Sequence, residues 1–372
     1  MTTVAITGAH GFLGFHVRAA AQEYGIDTIG VPLGEKFDTE QAAAAFDTAD
    51  FIIHLAGVNR GTDAEIAEGN ALFAGQVTTA LEKVASHPTK IVYGNSIQAD
   101  NDSIYGTAKR RAGEILAAIA DKLEIAYQNV LLPNIFGEYG RPYYNSVVAT
   151  FSHLVATNQD PEVQQDKELR LLHAQHAADI LLGQQPISAL GLLSHCETVS
   201  GIKHLLQEFH ELYSVGEFPD LVTPFRRDLF NTYRSYLFPD HAPTGIVQHA
   251  DQRGAFFEIV RSHGGTGQTS FSTTVPGITR GDHYHRRKIE RFTVLAGEAE
   301  INLRRLFDDK VFTYRISGSE PQSVDMPTMY THNIRNIGNE MLYTAFWTND
   351  IFDPEHPDTI TEAVTCTSGS RL

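Results

Sequence analysis

Short apolar runs alternate with amphipathic, Ala-rich stretches through the first half of the chain. Val4-Ala5-Ile6 predicts a strand, followed by a glycine-rich turn and a helix over about residues 12–24. Asp27 to Val31 predicts a second strand, Gln41 to Phe46 a helix, and Phe51-Ile52-Ile53-His54-Leu55 a third strand. Lys90-Ile91-Val92-Tyr93 predicts a further strand and Tyr105 to about Ala120 a further helix. Alternating β and α units of this kind predict a parallel sheet covered by helices on both faces.

The pattern changes near Asp240-His241-Ala242-Pro243. Beyond it come short runs separated by Gly, Pro and Asn, among them Ala255 to Val260, Thr269 to Thr274, Arg291 to Leu295, Glu298 to Leu303 and Leu342 to Trp347. Evenly spaced short strands with turn signals predict an all-β sandwich or barrel. The expected organisation is an α/β domain over residues 1–242 and an all-β domain over residues 243–372, with the helical stretch 197–240 assigned to the first. A chain of 372 residues suits two domains.

Charge narrows the partners. With 29 basic and 45 acidic residues the net charge is −16, which argues against nucleic acid and anionic membrane surfaces. A small anionic ligand stays open, because backbone amides and a few arginines can hold a phosphate within an acidic protein. The two cysteines, Cys196 and Cys366, form no metal-type spacing or disulfide framework, as suits a reducing, cytoplasmic setting. With a strand expected from Val4, no signal-peptide pattern is read, and no apolar run approaches a membrane span.

The turn after the first strand runs Gly8-Ala9-His10-Gly11-Phe12-Leu13-Gly14. Between a strand and a helix, such a turn lets the backbone approach a pyrophosphate seated on the helix N-terminus. Further on, Tyr105-Gly106-Thr107-Ala108-Lys109 puts a phenol and an ammonium four residues apart on one helix face. A nearby ammonium favours the phenolate, which would let Tyr105 exchange a proton near neutral pH. Ser96 follows a predicted strand and is placed to orient a carbonyl.

On these residues, the stretch up to about residue 240 resembles the extended short-chain dehydrogenase/reductases, which have a Rossmann fold. His54-Leu55-Ala56-Gly57 resembles that family's strand-end cofactor contact, Asn70 its helix Asn, and Pro133-Asn134-Ile135-Phe136-Gly137 the segment leading into a sugar-nucleotide pocket. The resemblance implies Ser96, Tyr105 and Lys109 as the catalytic set. It implies that Gly8, His10, Gly11, Phe12, Leu13, Gly14, Leu55, Ala56, Gly57, Asn70, Tyr105, Lys109 and Pro133 bind the cofactor. The nine-residue gap from Ser96 to Tyr105 is shorter than the family's usual spacing, and Val130-Leu131-Leu132 stands where an Arg is common. The second strand ends in Val31-Pro32 without the carboxylate that accepts an NAD ribose hydroxyl, while His10 and Lys36 are near. NADP(H) is therefore the expected cofactor.

The second half carries Gly277 to His285 followed by Glu290 and Gly297, spaced G-x5-H-x-H-x4-E-x6-G. Residues i and i+2 of a strand share a face, so the imidazoles of His283 and His285 can meet one ion. Pro327-Thr328-Met329-Tyr330-Thr331-His332 and Asn336 add P-x4-H-x3-N. These resemble the two motifs of a metal-binding cupin barrel, with Met329 where a Gly is usual. The expected ligands are His283, His285, Glu290 and His332. The ion is a divalent transition metal, taken as Zn on availability, since this donor set does not select one. Arg280 to His285 also resembles a segment of metal-free cupin epimerases in which the position of His283 is the base. With His283 given to the metal, Lys288 or Tyr284 is the expected base. His173, His176 and His263 lack such a context and read as surface or structural.

A reductase followed by a cupin, with the segment Asn145 to Phe151, resembles the CapF family of bacterial capsular-polysaccharide synthesis enzymes. That resemblance implies a bifunctional enzyme acting on a UDP-linked 2-acetamido-4-keto-6-deoxyhexose. The cupin would epimerise C3, and the first domain would then reduce the C4 ketone with NADPH, towards N-acetyl-L-fucosamine. A homodimer or higher oligomer through the cupin is also expected, because small barrels expose sheet edges that a partner can pair. The competing readings are a reductase whose cupin is only a metal-stabilised dimerisation module, and a non-catalytic NADP-binding sensor. An intact Tyr105–Lys109 pair counts against the sensor.

Overall fold

The computed structural model describes residues 2–365, so Cys366 lies outside the described residues. Contacts divide the chain into two compact units, one of Met1–Thr150 with Gln165–Val199, the other of Phe151–Gln164 with Ser200–Leu372.

In the first unit, β1 (Thr3–Thr7), α1 (Phe12–Glu23), β2 (Asp27–Val31), α2 (Thr39–Thr48), β3 (Phe51–His54), α3 (Asp63–Leu81), β4 (Lys90–Ser96), α4 (Ile104–Lys122) and β5 (Ala126–Leu132) follow one another. The five strands form a parallel sheet in the order β2-β1-β3-β4-β5. Successive side chains serve opposite faces. Ala5, Ile52 and Ile91 join a core with Phe46, Val77 and Leu116, whereas Val4, Ile6, Ile53 and Val92 join another with Val17 and Ile180. Strands buried on both faces must be apolar throughout, which is why these runs show no polar alternation. The chain leaves β1 towards β2 on one side and reaches β3 on the other. This is the point in an open sheet where a crevice forms beyond the strand ends. Next come β6 (Asn134–Phe136), α5 (Val147–Ala156), which enters the second unit at Phe151, and then β7 (Glu168–His173), α6 (Ala174–Leu181), α7 (Leu190–Leu193) and β8 (His195–Thr198), with β6, β7 and β8 forming a small mixed sheet.

The second unit holds α8 (Val199–Tyr213) and α9 (Pro224–Arg234), then β9 (Thr244–Gly245), β10 (Gln248–Asp251), β11 (Gly254–Phe257), β12 (Gln268–Thr274), β13 (Thr279–Tyr284), β14 (Glu290–Ala296), β15 (Glu298–Arg305), β16 (Val311–Ser317), β17 (Gln322–Met326), β18 (Tyr330–Asn336), β19 (Leu342–Thr348) and β20 (Ile360–Thr361). Two five-stranded antiparallel sheets result, ordered β12-β19-β14-β17-β9 and β16-β15-β18-β13-β20, with β10 and β11 as a separate hairpin.

The helical stretch after residue 200, expected with the first half, packs with these sheets. Phe218 stacks on Trp347 with ring centres 4.4 Å apart. The buried Arg291 guanidinium lies 4.4 Å from the Phe218 ring centre and pairs with Asp325 at 2.6 Å, and Tyr213 donates to the same carboxylate at 2.6 Å. Buried charges require such partners, and α8 and its following loop supply them. Periodicity reports that a helix has an apolar face, not which core that face covers. Among the described residues no helix is long and apolar enough to cross a membrane.

Candidate functional site

A cleft of about 840 Å³ opens in the first unit. Its wall includes Gly8, His10, Gly11, Phe12, Leu13 and Gly14 from the β1–α1 turn, Leu55 and Gly57 from beyond β3, and Ser96, Tyr105, Lys109 and Pro133. A Cβ added to Gly8, whose φ is +73°, would stand 2.8 Å from the Ala56 amide nitrogen, so the turn closes on the β3 loop only as glycine. Ala56 and Asn70 stand behind the wall: Asn70 is buried and donates to the carbonyls of Val58 and Ile66 at 2.7 and 2.9 Å, holding the loop in place. His10 lines the cleft, and a Cβ on Gly30 near the end of β2 would come within 3.9 Å of its ring nitrogen. Lys36, in a 3-10 turn over Gly34–Lys36, is not part of the lining.

The Ser96–Tyr105 spacing has a local cause. Ser96 Oγ caps a 3-10 turn over Ile97–Asp100 by accepting from Gln98 at 3.2 Å, and Ser103 caps α4 by accepting from Gly106 at 3.0 Å. A side chain at Gly106 would begin 2.1 Å from the Gln98 carbonyl, so α4 reaches the 3-10 turn in nine residues because Gly106 has none. Burial pushes the Tyr105 phenol above its usual value and brings the Lys109 ammonium down to about 7. The expected pull of Lys109 towards the phenolate is outweighed. Lys109 Nζ donates to the Gly94 carbonyl at 2.9 Å and lies 4.3 Å from the Tyr93 ring centre.

In the second unit, ligand-type atoms of His283, His285, Glu290 and His332 all lie within 4.8 Å of one another. The antiparallel pairing of β13 with β18 sets His283 directly opposite His332. His285 follows β13, and Glu290 opens β14 in the other sheet. Nε2 atoms of His285, His332 and His283 stand 2.9, 3.2 and 3.9 Å from Glu290 Oε2. Burial acts to raise the Glu290 pKa, but hydrogen bonds from the three imidazoles outweigh it and hold the carboxyl well below its usual range. Burial lowers His332 to about 4, which keeps its imidazole neutral. Convergent imidazole nitrogens and one carboxylate fit a divalent transition metal. Met329, where a Gly is usual, has φ +59° and is held by donating to the His285 carbonyl at 2.7 Å.

A cavity of about 220 Å³ reaches Glu290 and is also lined by Lys288, His356 and Asp358. Lys288 Nζ donates to Thr359 Oγ1 at 3.2 Å. Tyr284 is fully buried and does not line that cavity. His173 is buried 3.1 Å from the Glu138 carboxylate, and His263 pairs with Glu217 at 2.6 Å. Asp358 was not legible beforehand. Its carbonyl lies 2.6 Å from His285 Nδ1, and its carboxylate accepts from the amides of Arg286, Arg287 and Lys288 at 3.0, 2.9 and 2.7 Å. Arg141, Tyr144, Asn145 and Ser146 in the cleft wall were likewise not singled out for binding. Their signal was a cation and polar residues following Pro133-Asn134-Ile135-Phe136-Gly137.

Comparison with known proteins agrees with this arrangement. Residues 4–182 match the NAD dependent epimerase/dehydratase family, and residues 249–360 match the polysaccharide biosynthesis C-terminal domain. The chain is 33% identical over 377 residues to the UDP-2-acetamido-2,6-beta-L-arabino-hexul-4-ose reductase of Pseudomonas aeruginosa, spanning 96% of this chain and 97% of the relative. The crystal structure of the capsular polysaccharide assembling protein CapF from Staphylococcus aureus superposes with a TM-score of 0.61 at 33% identity, over 97% of this chain and 100% of that one. The chain belongs to the CapF family. A CapF structure with the inhibitor 3-isopropenyl-tropolone also matches, with a TM-score of 0.55 at 29% identity, over 98% of this chain and 100% of that one. Membership of the CapF family accounts for both units lying in one chain.

Proposed function

We propose that this chain is a bifunctional nucleotide-sugar enzyme of surface-polysaccharide synthesis. Its second unit, a cupin barrel built from the two antiparallel sheets, epimerises C3 of a UDP-linked 2-acetamido-2,6-dideoxy-4-ketohexose, and its first unit reduces the C4 ketone. The observation that carries this reading is that one chain holds both a Tyr–Lys pair in a glycine-turn cleft and a His–His–Glu–His cluster beside a second cavity. The relative's 4-ketose reductase activity supports the reduction. A tropolone presents adjacent ketone and hydroxyl oxygens, a metal-chelating arrangement, so that inhibitor supports a metal at the cluster.

When bound, NADPH supplies hydride and a divalent metal, with Zn the first choice, supplies Lewis acidity. His283, His285, Glu290 and His332 would hold the ion. The cleft residues from Gly8 to Gly14, with Leu55, Gly57 and Pro133, would hold the dinucleotide, and Ala56 and Asn70 would support that wall. The Lys288 amine takes the C3 proton, the electron pair moves onto the C4 oxygen as an enolate, solvent returns a proton to the opposite face of C3, and Lys288 then releases its proton to solvent. Reduction follows, because C3 is acidic only while C4 is a ketone. Tyr105 passes its phenolic proton to the C4 oxygen as hydride arrives, and its raised pKa keeps that proton in place at neutral pH. Ser96 orients the carbonyl, and Lys109 orients the cofactor.

We further propose a cytoplasmic homodimer formed through the second unit. The edge strand β12 exposes Phe271 beside Tyr343, with ring centres 5.9 Å apart. A monomeric mass in solution at micromolar concentration contradicts that arrangement.

The decisive test is solvent deuterium exchange at C3 of the 4-keto substrate without NADPH, using full-length Tyr105→Phe. Exchange is expected there and should be lost in Lys288→Met. If Tyr105→Phe shows none, the second unit is a metal-stabilised dimerisation module and the epimerase reading falls.

A further inference from the structure

Arg60 and Arg141 come from different loops of the first unit and meet at one aromatic ring. The guanidinium carbons lie 5.9 and 5.3 Å from the Tyr144 ring centre. Arg60 sits in the loop after β3, next to Asn59, which lines the cleft. Its Nη1 donates to the carbonyls of Tyr143 and of Tyr144, the latter at 2.7 Å, so its head is fixed. Arg141 and Tyr144 line the same cleft as Ser96, Tyr105 and Lys109.

Two features of these cations favour an anion. The chain carries 45 acidic residues against 29 basic ones, and arginines such as Arg226, Arg291 and Arg304 each have a carboxylate partner within 2.7 Å. Among the described residues no ion pair involves Arg60 or Arg141. Like charges gathered at one place without a carboxylate repel each other, and an anion relieves that repulsion. The N-terminal turn of α5 adjoins them. Asn145, Ser146 and Ala149 line the cleft, and Ser146 Oγ accepts from Ala149 at 3.2 Å, so the positive end of the helix lies at the cleft wall.

We propose that Arg60 and Arg141, joined across Tyr144, form the seat for the diphosphate of the nucleotide-sugar substrate. The seat rests on the nucleotide-sugar reading above. It accounts for the missing arginine before Pro133: the cationic contact comes instead from the Arg141 segment and from the loop after β3. Planar guanidiniums bind paired phosphate oxygens through two N–H groups each, and neither Arg replaces the other because each approaches from its own loop.

The test is calorimetric binding of UDP, UMP, uridine and NADPH to the full chain and to Arg141→Gln, Arg60→Gln and the double variant. Each single substitution should weaken UDP about tenfold, the scale of one hydrogen-bonded charge. Uridine and NADPH should bind as they do to the parent chain. Arg141 donates to no backbone carbonyl among the hydrogen bonds of the described residues, so Arg141→Gln tests the seat without unpinning a loop, and Arg141→Lys should recover part of the loss. If the double variant binds UDP within twofold of the parent chain, the seat is wrong and the nucleotide-sugar reading stands. If NADPH weakens together with UDP, the arginines serve the cofactor's phosphates and the proposal is overturned. If the parent chain binds none of UDP, dTDP, GDP or ADP at millimolar concentration, the nucleotide-sugar reading fails and the seat fails with it.

Discussion

The backbone carbonyl of Asp358 lies 2.6 Å from Nδ1 of His285, although 73 residues separate them. That contact has Nδ1 donating to the carbonyl and fixes the ring with Nε2 turned towards Glu290. The Asp358 carboxylate meanwhile binds the three amides after His285, so one residue fixes both the ring and the segment that carries it. Asp358→Ala keeps the carbonyl but removes the carboxylate that holds the segment after His285, so metal affinity should fall about 10–100-fold, the scale of losing outer support to a ligand. Competition against a graded chelator measures it. The cobalt-substituted protein adds a visible spectrum that a general loss of stability would not shift. An unchanged affinity and spectrum would show that Asp358 merely packs.

Tyr105→Phe keeps the ring and removes the proton. Reduction of the 4-keto substrate should fall about 10²–10⁴-fold, with NADPH binding nearly unaltered. Single-turnover oxidation of NADPH is the readout, and near-normal consumption removes Tyr105 from the catalytic set.

Lys109 sets a pH dependence. Burial lowers its folded pKa to about 7, against 10.5 for the free side chain. Between those values the unfolded chain binds the extra proton, so this residue makes folding stability rise with pH from about 7 and level off near 10.5. Cofactor binding runs the other way. A cationic Lys109 favours the dinucleotide, so affinity for NADPH should drop as pH climbs above about 7. A fall of up to ~10-fold per pH unit is the limit for one coupled proton. Lys109→Met should flatten both curves. Denaturant titrations and binding isotherms across pH 6 to 9 check the two signs, and a wild-type affinity that is level over that range counts against Lys109 as the cofactor contact.

The His–Glu cluster should hold one transition-metal ion per chain. His285→Ala combined with His332→Ala should abolish it and lower the melting temperature of the second unit, because ion binding and folding are coupled. Elemental analysis of protein purified without added metal decides the matter. A metal content that survives both substitutions removes these ligands from consideration.

The readable parts of this chain are those in which the chemistry is local in sequence. β1, β3 and β4 were plain because strands covered on both faces are apolar at every position, and Val4, Ile52 and Ile91 have no exposed surface. The four cluster residues were plain because strand alternation and motif spacing put His283, His285, Glu290 and His332 within reach of one another. Asp358 was not, since nothing near residue 285 announces a partner so far along the chain. The meeting of Arg60 with Tyr144 spans 84 residues and depends on two loops, whose paths no periodicity specifies. The protonation of Tyr105 was misread for another reason. Spacing shows which charges are neighbours, whereas the shift follows from how much water the fold removes.

The aromatic and ionic contacts of Phe218, Tyr213, Trp347 and Asp325 bear on how the two units can be taken apart. A fragment starting at residue 243 discards the ring that covers Trp347 and the phenol that completes the Arg291–Asp325 pair, and it should precipitate. Starting at residue 200 restores those partners but omits Asp160, to which Lys203 is bonded at 2.8 Å. The polypeptide passes from one unit to the other after Thr150, after Gln164 and again after Val199. No single incision yields both halves whole, so a genetic separation of the two units' roles has to proceed by substitution within the uncut gene product.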